Sequence, residues 1–281
     1  MERVNRDIIV PYMEAYKRYL SNLKGGGSDS NRPLSNAEED YKRGIAARAR
    51  EIIDSRNWGE TDIGDGVITL HVIKAVQRNI NIVGRFQVTA FLDKAKEEYS
   101  ISDRIFYDLY HEHKEQECFE MICKRFGRKY DLVSYLYFIA DPSRFLPLRS
   151  SIFDSIFKKL KINLQTSGHC SWDNYQEYLA AVGTIRDIMK EYYQIDDVDL
   201  LDAHSFLWTL RSDVLTDGKP GVEAVTVDMK DEKGDTGIVY HKKYGKGTII
   251  IITDESIYVN FSCGLRIFPY PEAFEKEYLG Q

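Results

Sequence analysis

The residues that could bind a catalytic metal have the wrong spacing to do so. His111 and His113 lie two positions apart, which points their rings to different faces of a helix. They lack the HExxH spacing that brings two histidine ligands to one face. Cys118 and Cys123, five positions apart, do not form a metal pair either. We therefore predict surface histidines and no metal site.

Two further pairs have the chemistry of a nucleophile and its base. His169 and Cys170 are adjacent, and neighbours in sequence rarely face each other productively, so a loop with a buried thiol is the better interpretation. Asp202 and His204 could form a polar pair. An N-cap aspartate followed by a hydrogen-bonded core histidine explains them better. We predict no catalytic residue among these four.

A nuclease motif is only half present. Asp228 and Lys230 have the acid-x-Lys spacing of PD-(D/E)xK nucleases, but the runs before them are helical and offer no strand for the first acid. A strand that ends in a polar turn is the preferred interpretation. No P-loop, GxGxxG or zinc-finger spacing occurs. We predict a protein without catalytic site or cofactor, and keep a divergent nuclease as the least favoured alternative.

Two clusters of basic residues carry the side chains that contact phosphates. The first, the hairpin cluster, comprises His241, Lys242, Lys243, Tyr244 and Lys246 at the end of a predicted β-hairpin. Basic groups gathered there can bind nucleic-acid phosphates. A merely solvated hairpin is the alternative, because residues 222–281 contain 7 Lys/Arg against 10 Asp/Glu.

The second cluster, the helix-end cluster, surrounds the predicted C-terminal end of a helix. Its members are Lys124, Arg125, Arg128, Lys129, Arg144 and Arg149. With interleaved aromatic residues, they could meet phosphates. They could equally be solvated residues that stabilise the helix end against its dipole, and this interpretation is slightly favoured. The interpretation as a phosphate-binding site would be strengthened if both clusters lay on one face of the protein.

The elements that must position these residues fall into four segments. Residues 1–24 have the spacing of an amphipathic helix that contains Pro11. Residues 25–34 have the Gly- and Ser-rich composition of a flexible linker. The pattern of residues 35–216 predicts a helical domain, and that of residues 222–281 predicts a small barrel with a closing helix. The loosely linked first helix either packs on the body or pairs with another chain.

Helical spacing recurs throughout the second segment. The predicted helices include Phe86–Tyr99, Ile101–Tyr110 and Glu115–Phe126, the last ending at Gly127. Val67–Val76 fits either a strand or a helix. The aromatic-rich stretch Tyr135–Leu210 predicts a core, with helices that begin after Ser150 and Ser171.

Beyond Ser212 the pattern changes to short β-forming runs separated by turns. The predicted strands are Val222–Met229, Gly237–His241, Gly247–Thr253, Ser256–Phe261 and Leu265–Phe268, followed by a helix over Pro271–Leu279. The turn cluster Asp217–Gly221 is the best domain boundary. The predicted fold class is α+β: a mostly α-helical N-terminal domain followed by a small antiparallel SH3/tudor-like β-barrel.

The segment Val239–Ile249 combines an apolar residue, His, a basic pair, an aromatic residue and Gly-x-Gly before an apolar strand. With Ser256–Phe261 and Arg266–Phe274, it resembles the small barrel at the C-terminus of UvrD-like helicases. The resemblance implies a module that docks nucleic acid or protein. Gly245 and Gly247 make physical sense as turn residues with positive φ.

The core stretch carries a second resemblance, through the patterns FxPLRxxxFDxxF, CSWDNYQEYL and LLDAHSFLW. The residues of the first pattern are Phe145, Pro147, Leu148, Arg149, Phe153, Asp154 and Phe157. The combination is similar to a region of uncharacterised bacterial proteins, some of which occur near McrB-type restriction systems or HNH endonucleases. It implies a setting in defence against foreign DNA. It supplies no catalytic residues.

Composition narrows the class of protein further. The chain has 281 residues, 43% hydrophobic and 29% charged, which is ordinary for a soluble globular protein. The net charge of −6 argues against wholesale coating of nucleic acid or anionic membrane, but allows a local basic patch. The apolar runs are too short for a signal peptide or a membrane span. Four scattered cysteines fit reduced thiols in a cytoplasmic protein.

Together these observations predict a non-catalytic nucleic-acid-binding protein of a bacterial defence or DNA-processing system, with DNA as the favoured ligand. The main alternative is a protein-interaction subunit of a restriction-type complex whose partner carries the catalysis. That subunit would engage its partner through the first helix or the barrel.

Overall fold

The computed structural model describes residues 4–23, 34, 37–77, 82–211, 238–252, 256–261, 264–269, 272–275 and 278–280. The chain divides into two compact units, Met1–Pro220 and Gly221–Gln281. Residues 25–33 of the predicted linker, the turn cluster 217–221, the first predicted strand, the 228–230 motif and Cys263 lie outside the described residues. No helix among those described has the length and apolarity that crossing a membrane requires.

The first unit is built from α-helices joined by short connections. They are α1 (Arg6–Leu23), α2 (Ala37–Ile53), α3 (Val67–Gln77), α4 (Arg85–Glu97), α5 (Tyr99–Tyr110), α6 (Glu115–Phe126), α7 (Tyr130–Ala140), α8 (Ser150–Lys159), α9 (Trp172–Tyr193) and α10 (Leu200–Thr209). The three predicted helices correspond to α4, α5 and α6. The segment that fitted either a strand or a helix is helical, as α3.

The ends of these helices follow from local chemistry. α6 ends at Gly127, which adopts φ 101°, a conformation that glycine reaches without steric cost. Ser171 caps α9, as predicted, and accepts a hydrogen bond from a backbone N–H of the first turn. The N-cap predicted at Asp202 is wrong. The N-cap of α10 is Asp199. Asp202 lies in the first turn, where its carboxylate accepts a hydrogen bond from the backbone N–H of Asp199 at 2.7 Å and so completes a capping box.

The first helix packs on its own unit. Its buried side chains are Ile9, Met13, Tyr16 and Leu20. The Tyr16 ring meets Phe206 of α10 edge-on at 5.3 Å, and the Tyr193 hydroxyl of α9 donates to the carbonyl of Met13 at 2.7 Å. The apolar face of α1 is therefore covered by α9 and α10, and is not free to pair with another chain.

A buried extended segment, residues 145–148, lies in the core of this unit. Its peptide groups need partners because they are shielded from water. Side chains supply them: Tyr175 Oη donates to Leu146 O at 2.7 Å, Tyr178 Oη donates to Pro147 O at 3.1 Å, and Leu148 N donates to Ser134 Oγ at 2.8 Å. The aromatic-rich stretch is thus a core, and its hydroxyls satisfy the backbone that crosses it.

The second unit contains a small antiparallel sheet. Its strands are β1 (Ile238–His241), β2 (Gly245–Ile252), β3 (Ser256–Phe261) and β4 (Gly264–Pro269), paired in chain order. Its core consists of Val239, Ile257, Val259, Phe261, Ala273 and Leu279. The chain is therefore α+β, a mostly helical unit followed by a small antiparallel sheet, and the described pairings do not close a barrel.

Two predictions about this unit are wrong. The closing helix is only a single turn, α11 (Glu272–Glu275), and Gly280 instead forms a bridge to Tyr240 with backbone hydrogen bonds of 2.8 and 2.9 Å. Gly245 does adopt a positive φ, 75°, but Gly247 does not. Gly247 lies in β2, where a Cβ would approach the Phe261 ring to 2.6 Å. Close packing, and not turn geometry, requires glycine there.

Candidate nucleic-acid interface

The turn between β1 and β2 is organised by a histidine. His241 pairs with Gly245 across the ladder, and its Nδ1 accepts hydrogen bonds from the backbone N–H groups of Lys243 at 3.0 Å and Tyr244 at 3.3 Å. The ring therefore takes up two backbone donors that the ladder leaves unpaired. His241 acts as a positioning residue for the turn.

Tyr244 gathers positive charge around its ring. It stacks on His241 with ring centroids 4.5 Å apart. Lys243 Nζ lies 5.5 Å from the Tyr244 centroid, and the Arg266 guanidinium carbon, from β4, lies 5.2 Å from it. Both cations are within the range of a cation–π interaction. Tyr244 is half-buried, so it holds the cations in place and does not offer a free face to a ligand.

The three lysines of the hairpin cluster point into solvent. Lys242, Lys243 and Lys246 are exposed, and none forms an ion pair with a carboxylate elsewhere in the described ranges. Three ammonium groups within five positions, without carboxylate partners among the described residues, make a concentrated positive site on a unit that is acidic overall.

A groove borders this turn. It has a volume of about 520 Å³ and is lined by Tyr240, His241, Lys242, Phe274, Leu279 and Gly280. Tyr240 lies at the edge of the groove and is 54% exposed. Sequence reasoning missed Tyr240 as a site residue, although alternation along β1, where Val239 is buried, would have placed it on the outer face. It also missed Arg266, which reaches Tyr244 from a strand that is distant in sequence.

In the helix-end cluster the arginines are engaged by the protein itself. Arg125 Nη2 donates to the carbonyl of Lys94 at 2.8 Å, and its side chain is only 18% exposed. Arg128 donates to the carbonyl of Cys170 at 2.9 Å and to Glu120 at 2.6 Å. These contacts fasten the end of α6 to α4 and to the loop before α9.

The other two arginines of this cluster also have carboxylate partners. Arg144 donates to both carboxylate oxygens of Glu115, at 2.6 and 2.8 Å. Arg149 Nε lies 3.8 Å from Asp131. Burial raises the pKa of Asp131, and the Arg149 charge opposes that rise. Only Lys124 and Lys129 of this cluster extend freely into solvent. The cluster is therefore mainly a set of internal contacts.

Two histidines outside the hairpin, His204 and His111, have hydrogen-bond partners within the helical unit. His204 is buried, as predicted for a core histidine; its Nε2 lies 3.0 Å from the carbonyl of Pro147, and Lys42 Nζ lies 3.4 Å from its Nδ1. Because an ammonium can only donate, Nδ1 accepts and Nε2 donates. Burial, assisted by the charge of Lys42, lowers the pKa of His204 well below its usual value. His111 contacts the carbonyl of Ser55 at 3.0 Å.

No metal site is found among the described residues, where no three His, Cys, Asp or Glu side chains converge. The pattern that resembles restriction-associated proteins is explained by packing. Phe145, Phe153 and Phe157 are buried, and Asp154 accepts hydrogen bonds from the backbone N–H groups of Thr166 at 2.7 Å and Ser167 at 2.9 Å.

Comparison of the chain with protein-family models, with curated proteins and with solved structures found no significant match. The functional conclusion therefore rests on the geometry of the hairpin.

Proposed function

We propose that the protein binds nucleic acid without catalysing a reaction on it, and that the hairpin cluster holds the phosphates. The observation that carries this proposal is the set of three exposed lysines, Lys242, Lys243 and Lys246, without carboxylate partners in the described ranges. An ammonium group whose charge is not neutralised by the protein is available to displace counterions from a phosphate backbone.

The shape of the turn supports the same proposal. His241 and Gly245 fix a short turn, so the lysines need little ordering of the backbone when a ligand binds. Arg266 adds a fourth cation beside Tyr244. We further propose that residues 222–281 form the complete SH3/tudor-like barrel of which the described strands are part, as their resemblance to UvrD-like helicases implies.

The exposed ring of Tyr240 favours single-stranded ligands. It lies next to Lys242 at the edge of the groove, where an unpaired base can stack while its phosphate meets the lysine. A paired base inside a duplex does not present its face in this way. The resemblance of residues 145–157, 170–179 and 200–208 to restriction-associated proteins supports a role in bacterial defence or DNA processing, with DNA as the favoured ligand.

The second candidate is a protein-interaction subunit of a restriction-type complex. One observation favours it: α3 and α4 expose the apolar side chains Val67 (45%), Leu70 (46%) and Phe86 (71%). The apolar face of α1 is packed on its own unit, so the proposal does not use it as the docking surface. Such a partner would therefore dock on α3 and α4 or on the sheet unit.

The test is fluorescence anisotropy of the whole protein with labelled single-stranded and duplex DNA, and with RNA of the same sequence, across a salt series. We expect the affinity to fall steeply with salt, and the single strand to bind more tightly than the duplex. The variant Lys242→Glu/Lys243→Glu/Lys246→Glu is expected to bind at least tenfold more weakly, with a log–log salt slope reduced by about 2–3.

The matched control is Lys74→Glu/Lys96→Glu/Lys158→Glu, which changes the net charge equally at exposed positions of the helical unit. It should bind almost as the unchanged protein does. If both triple variants lose affinity equally, binding follows net charge and the hairpin is not the site. If the unchanged protein binds none of the ligands at low salt, the nucleic-acid proposal is wrong and the protein-interaction candidate replaces it.

A further inference from the structure

Two thiols that are far apart in sequence lie next to each other in the helical unit. Cys123 is in the last turn of α6 and Cys170 is in the loop before α9, and their Sγ atoms are 3.8 Å apart. Cys123 is 3% exposed and Cys170 is half-buried. Cys118, earlier on α6, is different: it is fully buried, burial raises its pKa to about 12, and its thiol faces the carbonyl of Ile105.

The loop that carries Cys170 is fastened on both sides of the thiol. The Tyr130 hydroxyl lies within 3.1 Å of the carbonyl oxygens of both His169 and Ser171, and accepts from the backbone N–H of Ser171 at 3.3 Å. Arg128 donates to the carbonyl of Cys170 itself at 2.9 Å. The two sulfur atoms are therefore held facing each other by the fold, and do not meet through motion of a free loop.

We propose that Cys123 and Cys170 are a redox-active pair that forms a reversible disulfide when hydrogen peroxide oxidises it. A disulfide has a sulfur–sulfur distance of about 2.05 Å, so the gap must close by a little under 2 Å. Rotation of the Cys170 side chain can supply this movement while the loop stays fastened, because Cys170 is the more exposed of the two cysteines.

The contact between the two thiols shifts their pKa values in opposite directions. A hydrogen bond from Cys170, with a further contribution from the positive charge of Arg128, lowers the pKa of Cys123 against the opposing effect of burial. The same hydrogen bond, together with burial, raises the pKa of Cys170.

Oxidation then proceeds in two balanced steps. Cys170, the more exposed thiol, loses its proton to water and attacks one oxygen of hydrogen peroxide; the O–O bond breaks, the leaving hydroxide takes up that proton as water, and Cys170 becomes a sulfenic acid. Cys123 then loses its proton and attacks the Cys170 sulfur; the S–O bond breaks, and the leaving hydroxide takes up this second proton to form another water. The two sulfurs lose two electrons in total, which reduce the peroxide. A dithiol reductant reverses the reaction by thiol–disulfide exchange.

The test is disulfide mapping on the whole, reduced protein. The protein is titrated with hydrogen peroxide, its free thiols are alkylated, and tryptic peptides are analysed by mass spectrometry. We expect a peptide pair linked through Cys123 and Cys170, lighter by two hydrogens, that disappears after reduction. Two alkylated thiols should be lost per chain, with Cys118 and Cys263 still alkylated.

Variants sharpen the result. Cys123→Ser should abolish the linked peptide and leave Cys170 as a sulfenic acid that dimedone labels. Cys118→Ser is the matched control, a buried cysteine on the same helix, and should leave the linked peptide unchanged. The proposal is overturned if Cys123 and Cys170 are both still alkylated once peroxide is in excess, or if the disulfide that forms joins Cys263 or two different chains. The wild-type map decides this even if a variant fails to fold.

Discussion

The two basic clusters look alike in the sequence and differ in what the fold does with them. The helix-end cluster directs its arginines to carbonyls and carboxylates of its own unit, as Arg125 does with Lys94 and Arg128 with Glu120. The hairpin cluster keeps its lysines in solvent. A planar guanidinium with a fork of donors suits fixed internal contacts, whereas a flexible, strongly hydrated ammonium suits a solvent-facing site. The type of basic residue is therefore as informative as the charge.

The lysines of the hairpin cluster lie on a turn that the sheet positions, so a change that disrupts the packing of the sheet should disrupt the cluster. Gly247→Ala is such a change. The added Cβ would lie 2.6 Å from the Phe261 ring and from Val259, and overpacking of this kind costs up to about 3 kcal/mol. Chemical denaturation should show this loss, and the affinity for DNA should fall with it. Gly44→Ala in α2 is the control, since its Cβ would meet nothing closer than 3.9 Å and the stability should hold or rise. Equal losses in both variants would contradict the prediction.

Arg125→Ala should weaken the fold without weakening nucleic-acid binding. It removes a charged hydrogen bond to the carbonyl of Lys94 at a largely buried position, which costs about 2 kcal/mol. The free energy of unfolding from a urea titration measures this. The neighbouring exposed residue provides the comparison, because Lys124→Ala should change stability by less than about 0.5 kcal/mol. If Arg125→Ala lowers DNA affinity while its stability is unchanged, the helix-end cluster belongs to the binding site.

The buried polar groups of the helical unit should also make its stability depend on pH. His204 has a pKa lowered by burial and is neutral in the fold, whereas in the unfolded chain it binds a proton below about pH 6.5. The unfolded state then holds more protons, so stability decreases as pH falls below that value, by up to about 1.4 kcal/mol per pH unit. Urea titrations at several pH values would measure the slope.

His204→Gln should be less stable at neutral pH and should lack this part of the slope. His113→Gln, at an exposed position, should retain it. A slope that is the same in both variants and in the unchanged protein would show that other groups cause the acid sensitivity.

The local part of this fold was predictable from sequence. Gly127, Ser171 and the helical spacing of Glu115–Phe126 act within a few residues, and they set the helix ends where the structure has them. The secondary structure of Val67–Gln77 could not be assigned from the sequence, because its β-branched residues are buried on several faces and hide the helical period. The strand boundaries were close for the same local reasons, since short polar or glycine-containing stretches of sequence separate β1 to β4.

The candidate site was predictable only where its contacts are local. The turn contacts of His241 with Lys243 and Tyr244 span two or three positions. The carbonyls that accept from Arg125 and Arg128 lie 31 and 42 positions away, and Cys123 and Cys170 are 47 positions apart. Nothing in a local pattern indicates such pairings, because the packing of whole helices creates them.

The buried segment 145–148 has a consequence for the order of folding. The N–H of Phe145 donates locally to the carbonyl of Asp141, but the peptide groups of Leu146, Pro147 and Leu148 take partners 14 to 57 positions away, on α7, α9 and α10. Until those helices have assembled, these groups depend on water for their hydrogen bonds, so this part of the segment cannot be dehydrated early. Contacts of such sequence separation are slow to form. We expect hydrogen exchange during refolding to show the amide of Leu148 protected after the amides of α9, which makes this short segment a late reporter of native assembly.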